Sequence, residues 1–238
     1  MQEILLMSML IIGADALATA VGFGLDTLMT PVLGLWLPFS QVLWLIGILH
    51  WFSCIWKMLL FSKSIDVMLV LLFGIPAAGM SFLGALLAGH FIHKGLMQFF
   101  GIFLVCYAIM LLIMPDWHVQ AKKGYVIVGG GISGLCAGLF GIRGAIRAVF
   151  LTAFNMPKEV YISTVGVIGF LEDTARLSGY FLQGFAFNVP ALWFIFFVPA
   201  TFIGAYVGKL LVNRMPQSMF RSCIALFLLL VGCKFMLF

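Results

Sequence analysis

At 238 residues, with 64% of them apolar, 9% charged and a mean hydropathy of +1.20, the chain has too little polar surface to cover a soluble globule of its size. It reads as a polytopic membrane protein whose connections are a few residues each. Even the longest polar stretch, 115–124, leaves no room for a soluble catalytic domain.

The first apolar stretch, 4–21, contains Ala14, Ala16 and Ala18 and has the outline of a secretory signal, but Gln2 and Glu3 stand where a basic start is required. Part of this segment is matched in the second half, so it is expected to be retained. Stretches at 25–37, 42–61, 67–88 and 96–114 follow; those at 125–139, 145–154, 160–182, 189–212 and 219–238 complete the chain. Several can cross a core that needs about 20 residues per helix. Two cannot: 25–37 follows Gly22-Phe23-Gly24, and 145–154 follows Gly141-Ile142-Arg143-Gly144. Each reads as half of a broken or re-entrant helix pair, with glycine permitting the unusual backbone angles.

The two halves resemble each other at one offset of 119 residues, which relates Gly22 to Gly141, Pro38 to Pro157, Gly47 to Gly166 and Lys57 to Arg176. Further on, Gly84 aligns with Gly208 at a drifted offset of 124. If 4–37 and 125–154 are re-entrant, Lys63, Lys122, Lys123, Lys158, Lys209 and Arg214 share one face and Lys94 alone among the loop cations takes the other. Two full crossings in each unit would erase that bias. The expected fold is therefore an all-α polytopic membrane protein of two inverted repeats, 1–118 and 119–238, each beginning with a Gly-rich broken or re-entrant helix pair and together forming one transport domain. Both termini are expected outside the cytoplasm.

The segment Gly134-Leu-Cys-Ala-Gly138-Leu-Phe-Gly141-Ile-Arg143-Gly144 and its first-half copy, which keeps Gly22, Gly24 and Pro31, resemble the TauE/SafE family of sulfite and organosulfonate exporters. Asp15 and Thr19 stand in the first copy where that family usually has glycines. Its run of consecutive glycines is replaced by Gly24-Leu25-Asp26 and by Arg143-Gly144-Ala145. The resemblance implies anion export with a coupling ion, H+ or Na+, in a bacterial plasma membrane.

Charges inside apolar segments cost about 2.5–3.5 kcal/mol each on insertion scales, so each is a candidate for function. They are Asp15, Asp26, Glu172 and Asp173 against Lys57, Arg143, Arg147 and Arg176, a neutral set that could also satisfy itself by internal pairing. Arg143 lies in the second break, where freed amides attract anions, and its planar donor fork suits paired oxygens. Arg147 follows one helical turn later. The substrate-binding candidates are Arg143, Arg147, Lys57, Gly141, Gly144, Gly22, Gly24 and Thr27. Arg143 or Arg147 could instead be a counter-ion to Asp26, and Lys57 could snorkel to the interface.

Asp26, Glu172, Asp173, Arg176 and His50 are the coupling or ion-pair candidates, because buried carboxylates and histidine can change protonation. Arg176 has Glu172 and Asp173 at helix-neighbour spacings. Ser53, Asn155, Ser163 and Thr164 could hydrogen-bond substrate or bridge helices. The cysteines Cys54, Cys106, Cys136, Cys223 and Cys233 show no metal-ligand spacing, and neither metal nor other cofactor is indicated. No Ser/His dyad or HExxH helix points to an enzyme. The expected function is export of a small sulfur-containing anion by alternating access, with lipid as the surroundings and no nucleic-acid partner. A cation transporter and a non-transporting membrane scaffold are the alternatives.

Overall fold

The computed structural model describes residues 2–22, 24–61, 65–90, 94–113, 122–154, 156–185, 189–212 and isolated positions between 225 and 236. Lys63, Asn155, Arg214, Cys223 and most of the stretch 219–238 lie outside the described residues. The described residues are helical, without strands, and five helical stretches are long and apolar enough to cross a membrane. In the first half they are α1 (Gln2–Val21), α2 (Leu25–Leu33), α3 (Phe39–Leu60), α4 (Val67–Leu69), a π-helical turn at Val70–Gly74, α5 (Ile75–His90) and α6 (Lys94–Ile113). The second half has α7 (Lys123–Phe140), α8 (Gly144–Leu151), a short 3-10 turn at Thr152–Phe154, α9 (Lys158–Leu182) and α10 (Ala191–Leu211). The π turn directly precedes Pro76, which lacks the N–H that a regular α-helix would use at that point.

Helix directions follow from which residues touch. α3 and α9 are antiparallel, since Gly47 faces Leu177 while Gly166 faces Cys54 and Met58. α1 runs along α3: Ile11 shares an apolar cluster with Val42 and Leu45, and Asp15 reaches Ser53 and Lys57. α2 then turns back from Gly24, beside His50, toward Pro38 at the start of α3. In the second half α7 runs along α9, from Val126 near Val165 to Gly138, whose carbonyl accepts from the Tyr180 hydroxyl at 2.7 Å. α8 turns back from Arg143, beside Asp173, to Leu151, beside Val165.

Lipid offers no hydrophobic drive between helices, so close packing of small residues must hold them. α7 presents Gly130, Gly134 and Gly138 to the carbonyls of Phe73 in the π turn and of Ala77 and Ser81 on α5, so closely that a Cβ on any of them would strike backbone. α10 meets α1 in the same way. Gly208 has Ala16 O 2.7 Å and Thr19 Cβ 2.6 Å from where its Cβ would be; Gly84 of α5 has Leu135 O at 2.7 Å and Gly138 Cα at 3.1 Å. Leu135 and Gly138 are the residues 119 beyond Ala16 and Thr19.

A polar clasp joins α3 to α10, where Trp56 Nε1 donates to Thr201 Oγ1 at 3.1 Å. Thr201→Val should cost about 0.6 kcal/mol, the average for such interhelical bonds. Unfolding of the purified variant in detergent measures this, and a loss of about 2 kcal/mol or more would show that Thr201 has a larger role.

Candidate functional site

The breaks are built by glycine: Gly22 and Gly24 have φ of 81° and 98°, and Gly141 has 69°. These are left-handed values that side chains resist. Gly141 ends α7 as a left-handed C-cap, its N–H donating to Ala137 O at 2.9 Å. The second break touches α2: Thr30 Oγ1 donates to Gly141 O at 3.3 Å. All eight charges named from the sequence are buried.

They divide into two groups. In the first, Asp15 Oδ1 accepts from Ser53 Oγ at 2.7 Å and from Lys57 Nζ at 3.2 Å. Lys57 is 4% exposed, so in this structure it is paired across helices and does not snorkel. In the second, Arg143 Nε lies 2.8 Å from Glu172 Oε2 and 3.6 Å from Asp26 Oδ2, and its Nη2 donates to Asp173 Oδ1 at 2.8 Å. Arg176 Nε donates to the same Asp173 oxygen at 2.7 Å, the in-helix pairing that the spacing suggested, while Glu172 turns to Arg143 and Arg147. Three arginines face three carboxylates, so this group is neutral when all are ionised.

His50 links the group to α3. Its Nδ1 lies 2.6 Å from Asp173 Oδ2 and 2.7 Å from Arg143 Nη2. One ring nitrogen cannot donate to a carboxylate and accept from a guanidinium at once, so moving a proton there exchanges one hydrogen bond for the other. Cys54, one turn on, brings His50, Cys54 and Asp173 ligand atoms within 4.8 Å of one another, a metal-capable cluster that the cysteine spacings did not reveal. The fit to a metal ion is poor, because the Arg143 guanidinium already contacts two of the three as a fixed positive charge.

Below the network lies a small cavity, about the size of one water molecule. Thr19 of α1, Gly22 and Gly24 of the first break, Cys54 and Lys57 of α3, Arg147 of α8 and Gly166 of α9 line it, with His50, Ala18, Ile162 and Val165. Two buried cations therefore reach one small space. Arg147 is loosely held: its Nη1 lies 3.7 Å from Glu172 Oε2 and 3.5 Å from Val165 O, and its Nε has no hydrogen-bond partner. The Thr19 hydroxyl is likewise buried without one. Buried donors left unmade cost about 1–3 kcal/mol each.

Of the substrate candidates, Arg147, Lys57, Gly22 and Gly24 line the cavity. Arg143 and Gly144 lie at the network, Gly141 adjoins Thr30 and Arg176, and Thr27 is buried in α2 with its N–H donating to Asp26 Oδ1 at 2.8 Å. Cys54 and Thr19 were absent from the sequence candidates. A signal for Cys54 was present, as it is four residues after His50 and 119 before Asp173.

The family described as sulfite exporter TauE/SafE matches residues 5–235. A Bacillus subtilis protein named "Probable membrane transporter protein YunE" is 24% identical over 198 residues, covering 72% of this chain and 71% of that one. No solved structure matches the chain. With its all-helical fold, membrane-length apolar helices and a family match over nearly its whole length, the chain belongs to the sulfite exporter TauE/SafE family, a family of membrane transporters.

Proposed function

We propose that the protein exports a small sulfur-containing anion, such as sulfite or a sulfonate, and that the anion binds in the cavity between Lys57 and Arg147. The observation that carries this reading is a small space shared by two buried cations, one with an unpartnered Nε, beside an unpartnered Thr19 hydroxyl. An oxyanion would accept from both and supply charge that Glu172, at 3.7 Å from Arg147, supplies only weakly. The outward direction rests on the family likeness.

The halves 1–118 and 119–238 act in this reading as inverted repeats around the site, in a bacterial plasma membrane with both termini outside the cytoplasm. The antiparallel α3–α9 pair, with a folded-back helix pair running along each member, supports it, as do the matching Gly84 and Gly208 contacts. Coupling to a proton would run through His50, Asp173 and Arg143, where one ring nitrogen serves two competing partners. Alternating access follows if binding at the cavity and proton position both bias which half is closed.

The test is thermal stabilisation of the purified protein by a panel of small anions, for wild type, Arg147→Gln and Lys57→Gln. A bound anion at 100 times its Kd stabilises by about 2.7 kcal/mol. The expected result is stabilisation by sulfite or a sulfonate that disappears in Arg147→Gln. Stabilisation by cations alone would favour a cation transporter, and none by any ion would favour a scaffold; either overturns the reading.

A further inference from the structure

The cavity has room for about one water molecule and every residue lining it is buried, so an oxyanion enters only when a wall moves. The two directions along α3 and α9 are unequal. Toward the start of α3 and the end of α9 stand the Arg143 network and then Leu43, Tyr180 and Phe185. Toward the end of α3 and the start of α9, Phe61 follows Lys57 by one turn, and the lining residue Ile162 is one turn from Lys158. There, among the described residues, Phe61 and Ile162 meet Val212 at the end of α10 in one apolar layer, each of the three 3% exposed. Tyr161 packs against that layer, and its ring occupies the place a side chain at Gly22 would take.

Two lysines fasten this end. Lys209 Nζ of α10 donates to Leu60 O of α3 at 2.6 Å and lies 5.7 Å from the Phe61 ring centroid; Lys158 Nζ of α9 donates to Val212 O at 2.9 Å. Both acceptors are carbonyls at helix C-termini, which lack partners within their own helix and attract cations. Both lysines are exposed, so water can replace either bond at little cost. The hold of α10 on α1 is of another kind. Ile12 O and Ala16 O lie 2.9 and 2.7 Å from the Cβ positions of Gly204 and Gly208, and backbone packed on backbone cannot yield. α1 in turn supplies Ala18 and Thr19 to the cavity wall, opposite Lys57 of α3 and Gly166 of α9.

We propose that Phe61, Ile162 and Val212 form the gate of the cavity, that Lys158 and Lys209 latch it, and that it opens when α1 and α10 tilt as one body away from α3 and α9. This rests on the reading of the cavity as the anion site. The Trp56–Thr201 bond, two turns deeper on α10, serves as the pivot. The tilt parts Val212 from Phe61 and Ile162 and draws Thr19 away from Gly166, so one motion clears the path and widens the site.

The native Cys54 thiol, which lines the cavity, reports the opening. Cys106, Cys136, Cys223 and Cys233 are replaced by serine, and the protein is exposed to a membrane-impermeant, sulfonate-bearing methanethiosulfonate in right-side-out and inside-out vesicles. Because α7 runs along α9, Lys123→Cys in a cysteine-free chain marks the Lys158 face, and Ala88→Cys, buried with Tyr180 at the far end of α9, reports general loosening. We expect Cys54 to label slowly and from the Lys123 face. Lys158→Gln with Lys209→Gln should speed that labelling about tenfold, a ratio equal to ~1.4 kcal/mol, and Phe61→Ala by at least as much, with Ala88→Cys unchanged in either background. The lysine pair leaves the apolar layer intact and decides the matter should Phe61→Ala not fold. Labelling that neither change accelerates, that accelerates equally at Ala88→Cys, or that comes from the opposite face overturns the gate. A parent protein stabilised by no small anion instead overturns the reading of the cavity, and the labelling then judges the motion on its own.

Discussion

Arg143→Ala is expected to cost about 3–5 kcal/mol of stability, the range for removing one member of a buried ion pair. The magnitude follows from the neighbours. Arg143 touches Glu172 and Asp173 at 2.8 Å and Asp26 at 3.6 Å, all fully buried, and its loss leaves those three carboxylates facing only Arg147 and Arg176. Each buried charge left without its partner then costs several kcal/mol. Thermal and denaturant unfolding of the purified protein read this directly. Adding Glu172→Gln should restore much of the loss by rebalancing charge, which separates the electrostatic cause from the void left by the side chain. An Arg143→Ala protein as stable as wild type would show that the network is not what holds α8 to α9.

Gly134→Val should be nearly as damaging by a different route. The Gly134 Cα packs onto Ala77 O of α5, closely enough that a first side-chain carbon overlaps the peptide. Neither side of that contact is a rotatable group, so relief requires α5 and α7 to separate along the rest of the stripe, Gly130 and Gly138 included. Overpacking costs typically about 1–3 kcal/mol where side chains can shift, and backbone against backbone belongs at or above the upper end. Gly131, three positions before Gly134 on the same helix, has only Met80 Cγ at 3.7 Å, so Gly131→Ala is the control with little loss. Equal stability of the two variants would contradict the packing argument.

The membrane character, the helical fold and the two break points were legible because they depend on composition and on glycine, which backbone geometry demands at fixed places. Gly22 and Gly141 do adopt positive φ. The partners of the charges were much less so. Lys57 meets Asp15 across 42 residues, and no local pattern relates two helices at that distance. Arg143 stands in a glycine break that suits an anion, yet its nearest acceptors are consecutive residues of α9, Glu172 and Asp173, a pairing only the antiparallel α3–α9 arrangement and the return of α8 bring about. Cys54 and Thr19 line the cavity, yet a lone cysteine or threonine in an apolar segment ordinarily packs or bonds to its own helix, and only the spacing of Cys54 from His50 and Asp173 set it apart.

The contact between α1 and α10 sets an order of events during synthesis. Gly208 nests on Ala16 and Thr19, so α1 has its seat on a helix made almost two hundred residues later. Until then Gly204 is not there to cover Asp15, and a carboxyl left without a partner in lipid is costly. Lys57 is made sooner than α10, and its pairing with Asp15 gives that carboxyl a partner in the meantime. The ion pair therefore covers the polar side of α1 while translation goes on, before its packing partner has been made.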